Sequence, residues 1–255
     1  MTAMARLTTL LVAMWLGVTV STVVDLEKRI IGGQECGPNE RLYHVQLISK
    51  GNSKCGGSLI SDQWILTAAH CFAPGREFTA HIGVHAGTLQ KVAITDPPEI
   101  YINDGKKHDL MLLKLPKAVV GVKPVRAPDC QHPPMRGDTV QIAGHASTEV
   151  GPNNERIGGS SDTLQCADMD ISVCKTFNSM KHQHFICASR PLVDATHGDS
   201  GGGVVYQDKI YGVISYGHKK YVARYPLASM DLCYEPYFKW INDTIYPKGA
   251  NAARG

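Results

Sequence analysis

The stretch Thr196-His197-Gly198-Asp199-Ser200-Gly201-Gly202 is the most informative part of this sequence, because a serine stands between glycines directly after an aspartate. A serine hydroxyl attacks a carbonyl at neutral pH only when a base lies within hydrogen-bond reach and backbone N–H groups face the developing oxyanion. The glycines allow a tight turn and a close approach of substrate to those amides. The alternative interpretation is a glycine-rich loop with an incidental serine.

Two other segments contain the partners that a reactive serine needs. Thr67-Ala68-Ala69-His70-Cys71 places a histidine just after an apolar run. His108-Asp109-Leu110-Met111-Leu112-Leu113 places an aspartate at the head of another apolar run, where a carboxylate is costly to bury without a partner. The order histidine, aspartate, serine along the chain matches the arrangement in which the histidine takes the proton of the serine.

With these segments the sequence resembles the chymotrypsin-like serine peptidase family from Ile30 to about Trp240. The resemblance rests on five motifs: IIGG at Ile30, TAAHC around His70, HDLMLLKL from His108, GDSGG from Gly198, and Ser215-Tyr216-Gly217. It implies an all-β fold of two packed six-stranded antiparallel β-barrels with a C-terminal helix near residues 237–246.

The resemblance also implies the roles of the site residues. His70, Asp109 and Ser200 are the expected catalytic triad, and the amides of Gly198 and Ser200 are the expected oxyanion hole. This chemistry requires no cofactor. A segment that binds calcium in some relatives is shortened around residues 83–90, so no metal is expected.

Composition agrees with a globular enzyme. The 255 residues include 25 glycines and 14 prolines between many short apolar runs, a pattern typical of strands separated by turns. The net charge of +3 is too small to indicate a nucleic-acid or membrane-surface partner. The expected partners are polypeptide substrates and protein inhibitors, and nothing in the sequence indicates an obligate oligomer, so a monomer is expected.

The amino-terminal residues predict secretion. Arg6 precedes an apolar stretch over residues 10–20, and small residues permit cleavage near Ser21, so residues 1–21 are interpreted as a signal peptide. The stretch is short for a membrane anchor, which is the alternative. Residues 22–29 are interpreted as an activation propeptide and 30–255 as the peptidase domain, with a flexible tail from about 247.

The junction Arg29–Ile30 resembles an activation site for a second protease. In the family, the new amino group folds inward and pairs with the aspartate before the nucleophile. Here those groups are the α-amine of Ile30 and the carboxylate of Asp199. Because a buried carboxylate without a partner is costly, the arriving ammonium would reorganise the neighbouring loop. The precursor is therefore expected to be nearly inactive.

Eight cysteines can in principle all pair. The resemblance implies four bridges: Cys36 with Cys166, Cys55 with Cys71, Cys130 with Cys233, and Cys174 with Cys187. Two bridges common in close relatives are absent as whole pairs. Val140 and Tyr206 stand at one of these, and Thr196 and Lys220 at the other, which normally joins the two walls of the specificity pocket.

The specificity pocket is expected to include Ser215, Tyr216, Gly217, Asp194 and Leu227. A carboxylate six residues before the nucleophile favours substrates with arginine or lysine before the scissile bond. Three alternatives remain: the aspartate faces water, a lysine at 219 or 220 neutralises it, or the leucine narrows the pocket for small or medium residues.

Three smaller features complete the interpretation. His182 and His184 have the spacing of a weak metal site, but a solvated loop is the favoured interpretation. Asn242-Asp243-Thr244 is a glycosylation sequon inside the predicted helix. The alternative function for the whole chain is a protease-fold homologue with little or no activity that acts as a binding protein.

Overall fold

The computed structural model describes residues 30–247 apart from 52, 76, 148 and 176–179. The predicted signal segment 1–21, the predicted propeptide 22–29 and the tail beyond 247 lie outside the described residues.

The described chain forms strands connected by turns and loops, followed by a helix. The strands are β1 Gln34–Glu35, β2 His44–Ser49, β3 Lys54–Leu59, β4 Trp64–Thr67, β5 Phe78–Ile82, β6 Gln90–Ile94, β7 Glu99–Asn103, β8 Lys106–Lys114, β9 Thr139–Ala146, β10 Ser160–Ser172, β11 Phe185–Ser189, β12 Gly203–Tyr206, β13 Lys209–Tyr216 and β14 Leu227–Asp231. A 3₁₀ turn covers Ala69–Cys71, and the helix α1 covers Glu235–Ile245.

The first half of the chain is an antiparallel sheet in the order β6-β5-β2-β3-β4-β8-β7. In β5, Phe78, Ala80 and Ile82 are buried while the two residues between them are partly exposed, which is the period-two pattern of a strand with one face on a core. The edge strands β6 and β7 do not pair with each other in the part of the chain that the structure describes. This half is therefore a curled seven-stranded sheet, where a closed six-stranded barrel was expected.

The second half is a closed barrel. Its strands follow the order β10-β11-β14-β13-β12-β9, and β9 pairs again with β10, which closes a ring of six strands. The short β1 adds to the outside of β10 through Gln34 and Glu35. The all-β, chymotrypsin-like fold class is thus confirmed, with closure complete in the second half.

One apolar cluster joins the two halves. Residues 110–113 of β8 are buried in succession, because neighbours cover both faces of that strand. They share a cluster with Val213 of β13, Met230 of β14, and Tyr237 and Ile241 of α1. The loops that follow β4 and precede β12 therefore face each other across a fixed interface. The helix itself lies where it was predicted.

The structure contains four disulfide bonds, and they join the pairs that the resemblance implied: Cys36–Cys166, Cys55–Cys71, Cys130–Cys233 and Cys174–Cys187. The second of these ties the 3₁₀ turn to β3. Two bridges close long segments of 130 and 103 residues, which stabilises the folded state by restricting the unfolded chain.

Candidate active site

Two paired strands bring the histidine and the aspartate together. His70 lies in the 3₁₀ turn directly after β4, and Asp109 lies in β8. Since β4 pairs with β8 over Trp64–Lys114 to Thr67–Met111, the end of β4 lies beside Asp109. The His70 ring Nδ1 is 2.8 Å from Asp109 Oδ2, and the His70 backbone N–H donates to Oδ1 at 2.8 Å.

Further contacts hold this carboxylate in place. The Ser215 hydroxyl donates to Asp109 Oδ2, and the backbone N–H of Asp109 donates to Gln183 Oε1 at 2.9 Å. Burial alone would raise the pKa of Asp109. The hydrogen bonds from His70 and Ser215, together with the charge of His70, outweigh burial and leave that pKa below its ordinary value. The carboxylate therefore stays ionised and fixes the orientation of the imidazole.

The serine loop is fastened to both halves of the molecule. The Ser200 carbonyl accepts from Gly56 N–H at 2.8 Å, and Gly201 N–H donates to the Ile214 carbonyl at 2.8 Å. Gly201 has φ +85°, and a Cβ there would lie 2.1 Å from Thr67 Oγ1. A glycine is required at this position because both the backbone conformation and the space exclude a side chain.

The backbone N–H groups of Gly198 and of Ser200 itself donate to no acceptor among the described residues. Gly198 has φ +111°, a conformation that favours glycine. Neighbouring amides are engaged, since Asp199 N–H donates to the Thr196 carbonyl at 3.0 Å. The two unengaged donors are the ones the sequence predicted for the oxyanion hole.

Asp199 itself is fully buried beneath the loop. Its Oδ1 accepts from Ala146 N–H at 3.0 Å and its Oδ2 from Thr196 N–H at 2.9 Å. Burial raises the pKa of Asp199 to about 6, because these two amides and the more distant charge of Arg156 compensate only part of the lost hydration. No ion pair to this carboxylate exists among the described residues.

A cavity of about 660 Å³ lies between the halves of the molecule. His70 and Asp109 line it from the first half, and Ser200 and residues 215–217 line it from the second. No hydrogen bond joins the Ser200 hydroxyl to the His70 ring in the described structure. Hydrogen bonds of this kind often form only when substrate is bound.

The structure places Asp194 differently from the expectation that it binds substrate. Asp194 is 1 % exposed and is not one of the described residues that line the cavity, whereas Leu227 lines it as expected. Arg156 Nη2 lies 2.5 Å from Asp194 Oδ2, and Ala223 N–H donates to the same oxygen at 2.8 Å. One alternative was neutralisation by a lysine at 219 or 220. Among the described residues Lys220 pairs with Glu155 at 3.3 Å, and the cation on Asp194 is Arg156.

Backbone hydrogen bonds join residues 154–156 to residues 220–222, beside the position where the pocket bridge is absent. Arg156 N–H donates to the Lys220 carbonyl at 3.0 Å, and Val222 N–H donates to the Asn154 carbonyl at 3.1 Å. The Asn154 side chain also donates to the Val222 carbonyl at 3.1 Å. The segment 154–156 therefore supports residues 220–222.

Sequence reasoning missed Arg156 and Gln183. Arg156 stands in a polar loop without a motif, and its partner lies 38 residues further along the chain. Gln183 stands between the two histidines that raised the possibility of a metal site. His184 instead stacks on Tyr234 with ring centroids 3.5 Å apart, and His182 Nε2 contacts the Lys107 carbonyl.

Two further properties of the described residues concern membranes and metals. No helix among them is long and apolar enough to cross a membrane. Within the same residues, no group of three or more histidine, cysteine, aspartate or glutamate side chains is arranged to hold a metal ion.

A two-halved β fold with serine, histidine and aspartate around one cleft defines a chymotrypsin-like serine protease. A sequence model of the family described as Trypsin matches residues 30–241, and the chain belongs to this family. It is a trypsin-like serine endopeptidase by family.

Individual relatives and one solved structure agree with this family assignment. The chain is 30% identical over 257 residues to "Putative trypsin-6" of Homo sapiens, covering 92% of this chain and 97% of the relative. It is 33% identical over 238 residues to "Chymase" of Cavia porcellus, covering 85% and 90%. The solved structure of neuropsin, described as a serine protease expressed in the limbic system of mouse brain, superposes with a TM-score of 0.69 at 25% identity, covering 84% of this chain and 98% of that one.

Proposed function

We propose that this protein is a secreted serine endopeptidase, made as a zymogen, that hydrolyses peptide bonds with Ser200, His70 and Asp109. The observation that carries the proposal is the cavity in which these three residues lie together, beside the unengaged amides of Gly198 and Ser200. Its substrates are polypeptides, and protein inhibitors of this family are expected partners.

The reaction follows from this geometry. Ser200 Oγ attacks the carbonyl carbon of the scissile bond while His70 Nε2 takes the hydroxyl proton. The negative charge that develops on the carbonyl oxygen is held by the N–H groups of Gly198 and Ser200. Collapse of this intermediate breaks the C–N bond, and His70 gives its proton to the leaving amine.

The acyl ester on Ser200 is then hydrolysed by water. His70 takes a proton from the water as it attacks, and returns a proton to Ser200 as the carboxylic acid leaves. Asp109 accepts from Nδ1 throughout, so Nε2 faces the reacting atoms. All protons are carried by these residues and water.

The zymogen proposal rests on Ile30 and Asp199. Ile30 is fully buried in the core of the second barrel, in a cluster with Val193 and Ala195, close in sequence to the serine loop. Asp199 is buried without an ion-pair partner among the described residues. Cleavage after Arg29 by an activating protease would create an ammonium group at Ile30, and its pairing with Asp199 would stabilise the loop that carries the oxyanion amides.

Secretion is proposed from the predicted signal segment and is supported by the four disulfide bonds, which are typical of extracellular proteins.

Asn242 is proposed as a glycosylation site on its sequon alone. In the folded helix its side-chain nitrogen donates to the Phe238 carbonyl at 3.0 Å.

The experiment is labelling with a fluorophosphonate probe before and after cleavage at Arg29. We expect Ser200 to be labelled in the cleaved protein and much more slowly in the precursor, with Ser200→Ala as the control that removes the signal. A correctly cleaved protein that remains unlabelled would instead favour the alternative, a protease-fold binding protein.

A further inference from the structure

The cation that faces Asp194 is part of this chain, and it lies in the space where the side chain of a substrate would enter. Arg156 lines the same cavity as Ser200, Gly217 and Leu227. Its side chain is only 6 % exposed, and its Nη1 donates to the Ala195 carbonyl as its Nη2 bonds to Asp194.

Distances from Gly217 show how closely Arg156 approaches this wall of the pocket. A Cβ built at Gly217 would lie 3.2 Å from Arg156 Nη2, 3.6 Å from Leu227 Cδ1 and 3.8 Å from Asp194 Oδ1. The guanidinium, the leucine side chain and the Asp194 carboxylate therefore all lie beside this wall, and of the three only Arg156 and Leu227 line the cavity. Most of the surface that lines this cavity is apolar.

Arg156 is held from both its backbone and its side chain. The pairing of 154–156 with 220–222 fixes the backbone, and the ion pair between Glu155 and Lys220 lies at the same place. The guanidinium has two fixed acceptors, Asp194 and the Ala195 carbonyl. Displacing it would leave a buried carboxylate without a cation, which is costly.

We infer that Arg156 is a specificity-determining residue that excludes basic side chains and selects small or medium uncharged residues, such as alanine, valine or leucine, before the scissile bond. A substrate arginine or lysine would bring a second cation to a carboxylate that is already paired. An acidic side chain would gain little, because Asp194 already compensates the charge of Arg156. This inference rests on the proposed function and names its substrate class.

The first test compares peptide cleavage by the activated wild-type protein and Arg156→Ala. For the wild type, we expect kcat/KM to be higher after leucine or valine than after arginine. In Arg156→Ala the ratio of arginine to leucine cleavage should rise by about 10²-fold, because Asp194 becomes open to the substrate. The matched control is Arg126→Gln, a surface arginine, which should leave the ratio unchanged.

A second measurement does not depend on catalysis. Benzamidine, an aryl amidinium, should bind Arg156→Ala at least about 10²-fold more tightly than the wild type, as followed by calorimetry. Arg156→Ala/Asp194→Asn, which removes both charges, should lose this binding and also shows whether the pocket folds without the pair. Benzamidine binding equally well to the wild type, or wild-type cleavage preferentially after arginine, would overturn the inference.

The two proposals fail in different ways. If fluorophosphonate does not label Ser200 but benzamidine still distinguishes the wild type from Arg156→Ala, the proposed peptidase activity is wrong and the pocket assignment stands. If Ser200 is labelled and the two proteins bind benzamidine alike, the peptidase activity stands and the role of Arg156 is wrong.

Discussion

Asp109, which lines the cleft, and Asp194, which does not, are both largely buried and both paired, yet their environments shift their pKa values in opposite directions. Hydrogen bonds from His70 and Ser215 lower the pKa of Asp109 despite its burial. Burial raises the pKa of Asp194 against the opposing effects of Arg156 and the Ala223 amide. The difference shows that the presence of a partner does not by itself decide how well a buried carboxylate is stabilised.

The difference also corresponds to function. The partner of Asp109 is a half-exposed imidazole that must gain and lose a proton during the proposed reaction. The partner of Asp194 is a guanidinium held by two fixed acceptors. The first pair is suited to catalysis, and the second provides a fixed wall.

The largest expected effect comes from Asp109→Asn in the activated protein. The amide keeps the shape of the carboxylate but presents a donor to His70, so the imidazole is held in the wrong tautomer. We expect kcat to fall by about 10⁴-fold. Steady-state cleavage of a peptide substrate measures this change, and Asp168→Asn, at an exposed position, should leave kcat unchanged. A loss below tenfold would contradict the proposed role of Asp109.

The next prediction concerns the buried ion pair of Arg156 and Asp194. Arg156→Met should lower the free energy of unfolding strongly and should change the reactivity of Ser200 less. Removing one partner of a buried pair leaves the other charge uncompensated and costs about 3–5 kcal/mol in the free energy of unfolding. Adding Asp194→Asn should recover most of this loss, since the neutral amide can still accept from Ala223 N–H.

Urea denaturation of the three proteins measures these differences. The surface pair Arg126–Asp208, with side chains 55% and 91% exposed, supplies the comparison: Arg126→Gln should change stability by less than about 1 kcal/mol. Equal losses for the buried and the exposed arginine would show that Arg156 is not a true partner of Asp194.

The contrast between Asp109 and Asp194 also explains which features could be predicted from the sequence. The contacts of Asp109 come from motifs on strands that pair in a fixed register, so the triad candidates were accessible from the residues. The resemblance that these motifs carry implied the fold class and the four bridges. Arg156 reaches Asp194 through a loop conformation set by pairing with residues 220–222, and no local pattern encodes that pairing. The open edge of the first sheet was likewise missed, because short alternating strands do not specify whether β6 and β7 meet.

Asp199 is a third buried carboxylate, and its environment changes if the chain is cleaved. In the uncleaved protein the folded pKa is about 6 and the unfolded value is near the ordinary 3.8, so between these pH values the folded chain binds more protons than the unfolded chain. Stability from this group is therefore full below about pH 3.8 and declines as the pH rises through 6, by about 3 kcal/mol in total. In the cleaved protein the Ile30 ammonium would favour the ionised form and reduce this decline.

Urea denaturation of an uncleavable Arg29→Gln protein and of the cleaved wild type, at intervals from pH 4 to 8, measures how steeply the free energy of unfolding falls with pH in each protein. Asp199→Asn in the uncleavable protein should lack the decline, whereas identical slopes for cleaved and uncleaved protein would rule out pairing of Ile30 with Asp199.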